Sequence, residues 1–343
     1  MTDTVIEQLR AVYPDYAPYR VSVDEYIRFR EQGFLAVRGL IPQHDVQMLV
    51  DHTDNILAGR ESFPNVPAPS PDLTPMERLQ YYLRVHMLHR VLPLHERFML
   101  HPRTIDVLEA LIGPDVLALQ TMLFFKGPGQ PGQGYHQDAY YIPTLPDTLC
   151  GAWLAVDRAD EDNGCLWFTV GSQHEPIYPD WDGQTKNGDT VLGDIEPIAN
   201  ASNVDVTKNE LTRVAARYAG REIKVEADPG DVVFFAGHVL HRSHGNHTAA
   251  RSRRAFVGHY CNARSAVPWN HGDPYEGEFA NHLHILARGT THLPYAQPRF
   301  GTPCAANIPA MRARPVTDKP MSMMSDGSGI MLLTAHADEA DHH

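Results

Sequence analysis

Val116-Leu-Ala-Leu-Gln-Thr-Met-Leu-Phe-Phe-Lys126 marks the point at which the chain changes from helical to strand-like patterning. Further short β-rich runs follow at Leu149–Val156, Cys165–Val170, Ile223–Glu226, Val232–Phe235 and Arg254–Cys261, separated by Gly, Pro, Asn and Asp. Upstream the patterning is helical. Ser22-Val-Asp-Glu25 is a capping box that opens a helix closed by Gly33, a strand follows at Phe34–Val37, and Pro42 starts a helix with Val46, Leu49, Val50 and Leu57 on one face. Residues 60–76 carry five prolines and read as a surface loop. Helical stretches are expected over about 77–100 and from Ile105 to Ile112, the second stopped by Gly113-Pro114. Residues 1–20 read as a loose lead-in. Helices first and many short strands after them predict a mainly β protein, a sandwich or barrel with helices packed outside.

The chain has 343 residues, 43% hydrophobic and 21% charged, the balance of a globular protein long enough to bury a core without staples. Its formal charge is 29 − 42 = −13. That disfavours a nucleic-acid or anionic-membrane binder, because neutralising phosphates takes clustered Lys and Arg. No apolar run reaches the roughly 20 residues of a membrane helix, and the acidic N-terminus lacks the apolar core of a secretion signal. Cys150, Cys165, Cys261 and Cys304 show no CxxC pairing, so buried free thiols and a cytoplasmic location are expected.

Three segments carry chemistry. In Gly134-Tyr-His136-Gln137-Asp138, a strand would put His136 and Asp138 on one face, where an imidazole and a carboxylate can meet one metal ion. About 100 residues on, Asp228-Pro-Gly-Asp231 launches an apolar strand that ends in His238, His241 and His244. A third ligand there completes the layout of a two-His, one-carboxylate facial triad. No thiolate belongs to the set, which disfavours structural zinc. Arg251-Ser-Arg253-Arg254 begins another apolar strand, and a guanidinium facing a barrel interior calls for an acidic partner, which a bound acid could supply. Tyr135, Tyr140 and Tyr141 could line a substrate pocket or pack in the core. Lys126 is expected to snorkel at its strand end.

In this order the segments resemble the phytanoyl-CoA dioxygenase family of Fe(II)/2-oxoglutarate oxygenases, from about residue 22 to 262. The resemblance includes GFLAVRGLIP, LQTMLFFKGPG, GAWLAVDRADEDNGCLWFTVGSQHE, GDVVFFAGHVLHRSHGN and RRAFVGHY. It implies a double-stranded β-helix (jelly-roll, cupin-like) core over about 114–262, N-terminal helices over about 20–113, a lid-like insertion at 171–222, one domain over 1–315 and a flexible tail from 316 to 343.

By the same resemblance, His136, Asp138 and His241 are the iron ligands. Arg253 and Ser243 hold the far carboxylate of 2-oxoglutarate, and Trp153, Gln137, Met122 and Arg84 are further co-substrate contacts, Arg84 standing where the family usually has Lys. The interval from His241 to Arg253 is 12 residues, one longer than the family's. That leaves Arg254 as the alternative, on the opposite face; register with the family's strand favours Arg253.

The implied activity is O2-dependent hydroxylation of an unactivated C–H bond in a small-molecule substrate, with 2-oxoglutarate converted to succinate and CO2. A halogenating variant would lack the carboxylate ligand, which Asp138 supplies. The alternatives are a non-catalytic metal and 2-oxoglutarate binder on the same scaffold, or a cupin-type metalloenzyme that does not use 2-oxoglutarate. Neither nucleic acid nor membrane is an expected partner, and the sequence leaves the oligomeric state open.

Overall fold

A computed structural model describes residues 3–63, 66–179, 184–185, 188–189, 195–196, 198, 210–267, 284–293, 296–298 and 332–333. The helices are α1 (Asp3–Val12), α2 (Val23–Gln32), α3 (Gln43–Leu57), α4 (Pro75–Leu79), α5 (Pro93–Met99), α6 (Pro102–Ile112), α7 (Asp138–Tyr141) and α8 (Leu211–Ala216). The strands are β1 (Phe34–Val37), β2 (Arg84–His86), β3 (Val116–Lys126), β4 (Gln133–His136), β5 (Cys150–Ala155), β6 (Leu166–Thr169), β7 (Gln184–Thr185), β8 (Gly188–Asp189), β9 (Glu222–Val225), β10 (Val232–Ala236), β11 (His241–Ser243), β12 (Arg253–Asn262), β13 (Ile285–Arg288), β14 (Gln297–Pro298) and β15 (Leu332–Leu333).

A large sheet runs β1-β10-β5-β12-β3-β13-β14, with β2 beside β3 and β15 beside β2. A smaller sheet runs β4-β11-β6-β9. All their pairings are antiparallel except β13 with β14. Among the described residues this is the two-sheet core with flanking helices that the sequence predicts.

The large sheet is covered on both faces, which explains why β3 reads as an almost unbroken apolar run. Leu117, Leu119, Leu123 and Phe125 point into a core shared with α3, α5 and α6. Met122 belongs to a second core between the sheets, with Phe34, Trp153, Phe168, Phe235 and Val257. The same alternation splits β12: Phe256 and Tyr260 face the helices, Ala255 and Val257 the interior. Each large apolar side chain so buried contributes on the order of 1.5–3 kcal/mol.

The expected Ser22/Glu25 capping box and left-handed Gly33 cap are both present on α2. Two expectations are overturned. The lead-in contains α1, seated by buried Leu9, Tyr13 and Tyr16, with the Tyr16 hydroxyl 2.8 Å from Asp106 Oδ1. The continuous helix over 77–100 is broken, because Arg84–His86 pairs with Met122–Phe124 as β2, Met87 takes a positive φ of 62°, and Pro93 starts a new helix. Sheet pairing here overrides local helix preference. Cys150, Cys165 and Cys261 are buried free thiols. Cys304, the stretch 199–209 and shorter pieces of the 171–222 insertion, and the tail after 315 apart from Leu332–Leu333 lie outside the described residues.

The helical layer holds buried imidazoles. His52 Nδ1 lies 2.8 Å from Glu61 Oε2, and its Nε2 lies 3.0 Å from His95 Nε2. Burial, foremost, pushes His52, His95 and His101 below the ordinary histidine value. The unfolded chain therefore binds more protons than the native one below about pH 6.5. The stability is present above that value and is lost as pH falls toward the native values, by up to about 1.4 kcal/mol per pH unit for each imidazole. Thermal melts of metal-free protein from pH 7.5 to 5.5 should show a falling Tm; a flat profile would contradict neutral burial.

Candidate metal and co-substrate site

β4 and β11 lie side by side with His136 and His241 as directly opposed partners. This cross-strand pairing brings two imidazoles distant in sequence to a ring-centroid separation of 4.1 Å. The strand does not continue to Asp138, as the HxD spacing suggested. Asp138 is the first residue of the short α7, and the turn carries its carboxylate back toward both rings. Asp138 Oδ1 lies 3.7 Å from His136 Nε2 and 3.8 Å from His241 Nε2. One donor atom from each residue falls within 4.8 Å of the others, and all three residues are buried.

The imidazoles are oriented from behind. His136 Nδ1 lies 2.9 Å from the Gly134 carbonyl and His241 Nδ1 3.0 Å from that of Val239. Both Nδ1 atoms therefore carry the proton and donate it, which leaves the Nε2 lone pairs facing Asp138. Burial, reinforced by His241, pushes His136 down to about 3, so it is neutral at any ordinary pH. Burial alone would raise Asp138, but His259, His241 and His136 outweigh it and hold the carboxyl below the usual carboxylate range. Its second oxygen is taken by His259: Nε2 lies 2.8 Å from Asp138 Oδ2, and His259 Nδ1 lies 2.9 Å from Gln120 Nε2.

Arg253, 2% exposed, projects between the sheets. Its Nε donates to the Gly164 carbonyl at 3.1 Å, and its guanidinium centre lies 5.5 Å from the Trp153 ring. Burial, foremost, lowers it to about 10. Among the described residues no carboxylate forms an ion pair with it. Arg254, one step along, points the other way: it grips Asp157 with Nε and Nη2, each at 2.8 Å, and reaches Asp54 and Thr53 on α3.

Ser243 lies two residues beyond His241 on β11, buried, with Oγ 2.9 Å from Lys126 Nζ. Lys126 is not a snorkelling surface lysine: it is 4% exposed and also donates to the His244 carbonyl at 2.7 Å. Parity explains the correction, because residue 126 shares the inward face of β3 with Gln120 and Met122.

Met122 sits opposite Val257 on β12 and His86 on β2. Arg84, opposite Phe124, is close enough for its charge to help depress His136. The Gln137 amide nitrogen donates to the carbonyls of Pro176 and His238. His238 is occupied by the Glu175 carbonyl and Asp147, and His244 packs against Trp167, so of the three candidates only His241 joins the cluster. Tyr135 is buried in a separate apolar cluster with Leu211, Val214 and Leu240, with the Arg242 guanidinium 4.8 Å from its ring centre. Tyr140 packs edge-on against Tyr141. Sequence reasoning missed Gln120, His259 and Lys126; parity along β3 relates Gln120 and Lys126 to Met122, but only the fold brings His259 to Asp138.

The profile of the family described as phytanoyl-CoA dioxygenase (PhyH) matches residues 29–255, more than half of the chain. The chain belongs to the phytanoyl-CoA dioxygenase family. It is a 2-oxoglutarate-dependent dioxygenase, of a family whose enzymes use Fe(II), 2-oxoglutarate and O2. The bovine (Bos taurus) peroxisomal phytanoyl-CoA dioxygenase is 25% identical over 257 residues, covering 71% of this chain and 69% of its own length. The human (Homo sapiens) one is 26% identical over 249 residues, covering 68% and 67%. Among solved structures, the non-heme alpha ketoglutarate dependent carbocyclase SnoK from nogalamycin biosynthesis superposes with a TM-score of 0.53 at 17% identity, covering 73% of this chain and 88% of its own. EctD from S. alaskensis with bound Fe gives 0.53 at 17%, covering 74% and 80%. These likenesses show the double-stranded β-helix fold. No helix among the described residues is long and apolar enough to cross a membrane.

Proposed function

We propose that this dioxygenase hydroxylates an unactivated C–H bond of a small molecule, with 2-oxoglutarate converted to succinate and CO2. His136, Asp138 and His241 would hold the iron, and Arg253 and Ser243 the far carboxylate of 2-oxoglutarate. The observation that carries this proposal is the convergence of three buried donor atoms in the same between-sheet space as a buried guanidinium that forms no ion pair with a carboxylate among the described residues.

The donor set fits the metal. Two adjacent ligands at ~2.1 Å from one ion lie ~3.0 Å apart; the spacings to Asp138 Oδ1 are 3.7 and 3.8 Å, so inward shifts of under about 1 Å would close the three donors on an ion. Two neutral imidazoles with one carboxylate make the facial donor set of non-heme Fe(II) oxygenases. When bound, Fe(II) supplies the oxygen-activating chemistry; the chain's residues orient and shield. Backbone carbonyls fix both imidazole tautomers, and His259 holds Asp138 Oδ2 so that Oδ1 alone faces the histidines. Phe168, Phe235, Trp153 and Val257 make the space between the sheets apolar and exclude water. Trp153 and Met122 wall the co-substrate, Arg84 adds positive charge near His136, and Gln137 ties the loops at 176 and 238 together. We place the reaction in the cytoplasm, whose reducing conditions suit the three buried free thiols.

Adding Fe(II) and 2-oxoglutarate without oxygen should produce a weak visible charge-transfer absorption. Admitting O2 with a panel of candidate metabolites should then release succinate and a hydroxylated product. Absorption without turnover across the panel would favour a binding protein, and absence of both would sink the proposal.

A further inference from the structure

We infer that Lys126 is a second cation of the co-substrate site, a positioning residue that turns the Ser243 hydroxyl toward the far carboxylate of 2-oxoglutarate. The inference rests on the co-substrate placement proposed above. Lys126 and Arg253 are directly opposed partners on β3 and β12, and both side chains enter the space between the sheets. Like charges facing each other across a strand pair destabilise, and burying an unneutralised cation costs more still. Among the described residues neither cation has a carboxylate partner; Asp157, the carboxylate whose charge reaches Arg253, is already gripped by Arg254. The other groups around Lys126 Nζ supply no negative charge: the Ser243 hydroxyl, the His244 carbonyl, Cys165 and Gly164. Replacing a buried, unneutralised charge by an apolar side chain of similar volume is often neutral or stabilising, so stability alone gives no reason for a lysine here. An anion brought in from outside accounts for both charges.

The hydrogen-bond inventory says how Lys126 takes part. An ammonium has three donors and no acceptor. One donor goes to Ser243 Oγ at 2.9 Å and one to the His244 carbonyl at 2.7 Å. Because Ser243 Oγ accepts from Lys126, its own proton is free for another acceptor, and the ammonium makes that hydroxyl a stronger donor. A carboxylate beside Arg253 is such an acceptor. Gly164 keeps the space open: it sits at φ +87°, its carbonyl takes Arg253 Nε, and a Cβ there would come 3.1 Å from Lys126 Nζ. With two cations at its far end, the site should strongly prefer an oxo acid that ends in a carboxylate over 2-oxopentanoate, which ends in a methyl group.

The test titrates 2-oxoglutarate and 2-oxopentanoate into Fe(II)-loaded protein without oxygen, for the wild type, Lys126→Met and Lys126→Gln, with thermal melts of each protein free of oxo acid. Lys126→Met should weaken 2-oxoglutarate about tenfold or more, leave 2-oxopentanoate unchanged, and raise KM for 2-oxoglutarate with kcat retained at saturation. Lys126→Gln, which keeps a donor toward Ser243, should fall between. Without the oxo acid, Lys126→Met should melt no lower than the wild type, since it removes a buried charge. Undiminished 2-oxoglutarate affinity in Lys126→Met overturns the inference, as does a variant that melts lower or fails to fold, which would make the lysine a structural tie. A wild type that binds no 2-oxoglutarate overturns the co-substrate placement itself.

Discussion

Asp138→Ala is expected to abolish substrate-dependent succinate formation and to lower Fe(II) affinity by more than about 100-fold. Loss of partners behind a ligand already costs about 10–100-fold in metal binding or activity, and Asp138 lies at the centre of the cluster. Its Oδ1 is the atom within 3.8 Å of both histidine Nε2 atoms. Without it, two neutral imidazoles remain to hold a dication. The variant also leaves His259 without the carboxylate it now touches at 2.8 Å. Metal titration followed by intrinsic fluorescence, alongside succinate assays, checks both parts. Full activity in Asp138→Ala would remove the residue from the ligand set.

The second large effect is expected at Arg253. Arg253→Met should raise KM for 2-oxoglutarate by about 10–150-fold, the equivalent of the ~1.5–3 kcal/mol that hydrogen bonds to charged groups are worth. Thermal stability without co-substrate should hardly fall, because no carboxylate is left unpaired by the change. Arg254→Met provides the contrast. It breaks the clamp on Asp157 and the contacts to Thr53 and Asp54, so stability should fall by up to about 3 kcal/mol while KM stays near the wild-type value. Steady-state kinetics and denaturant melts of the two variants separate these outcomes. Equal KM values in Arg253→Met and the wild type would place the co-substrate elsewhere.

Much of this was legible in the chain because the large sheet is buried on both sides. Val116–Lys126 reads as a strand since its side chains are buried on both faces of the sheet, and it is observed with those bounds. The elements that escaped are those created by partners distant in sequence. Arg84–His86 is a strand because β3 offers it an edge, and α1 holds because Leu9, Tyr13 and Tyr16 find a seat, Tyr16 on the carboxylate of Asp106. The same limit applies to the site. His136, Asp138 and His241 could be proposed from their spacing and family context. Lys126 could not be seen as buried until its face of β3 was known, and nothing in the sequence shows that His259 reaches Asp138.

Neighbouring residues 253 and 254 also tie chemistry to alignment. A slip of one position along β12 would send each of the two guanidiniums to the opposite face of the sheet. The longer interval after His241 therefore has to be taken up in the connecting turn, where Asn246 bridges the Lys126 and Arg251 carbonyls. Insertions in that turn are tolerable, whereas a frame error within the strand would cost the protein both its anchor to the helices and its grip on an acid.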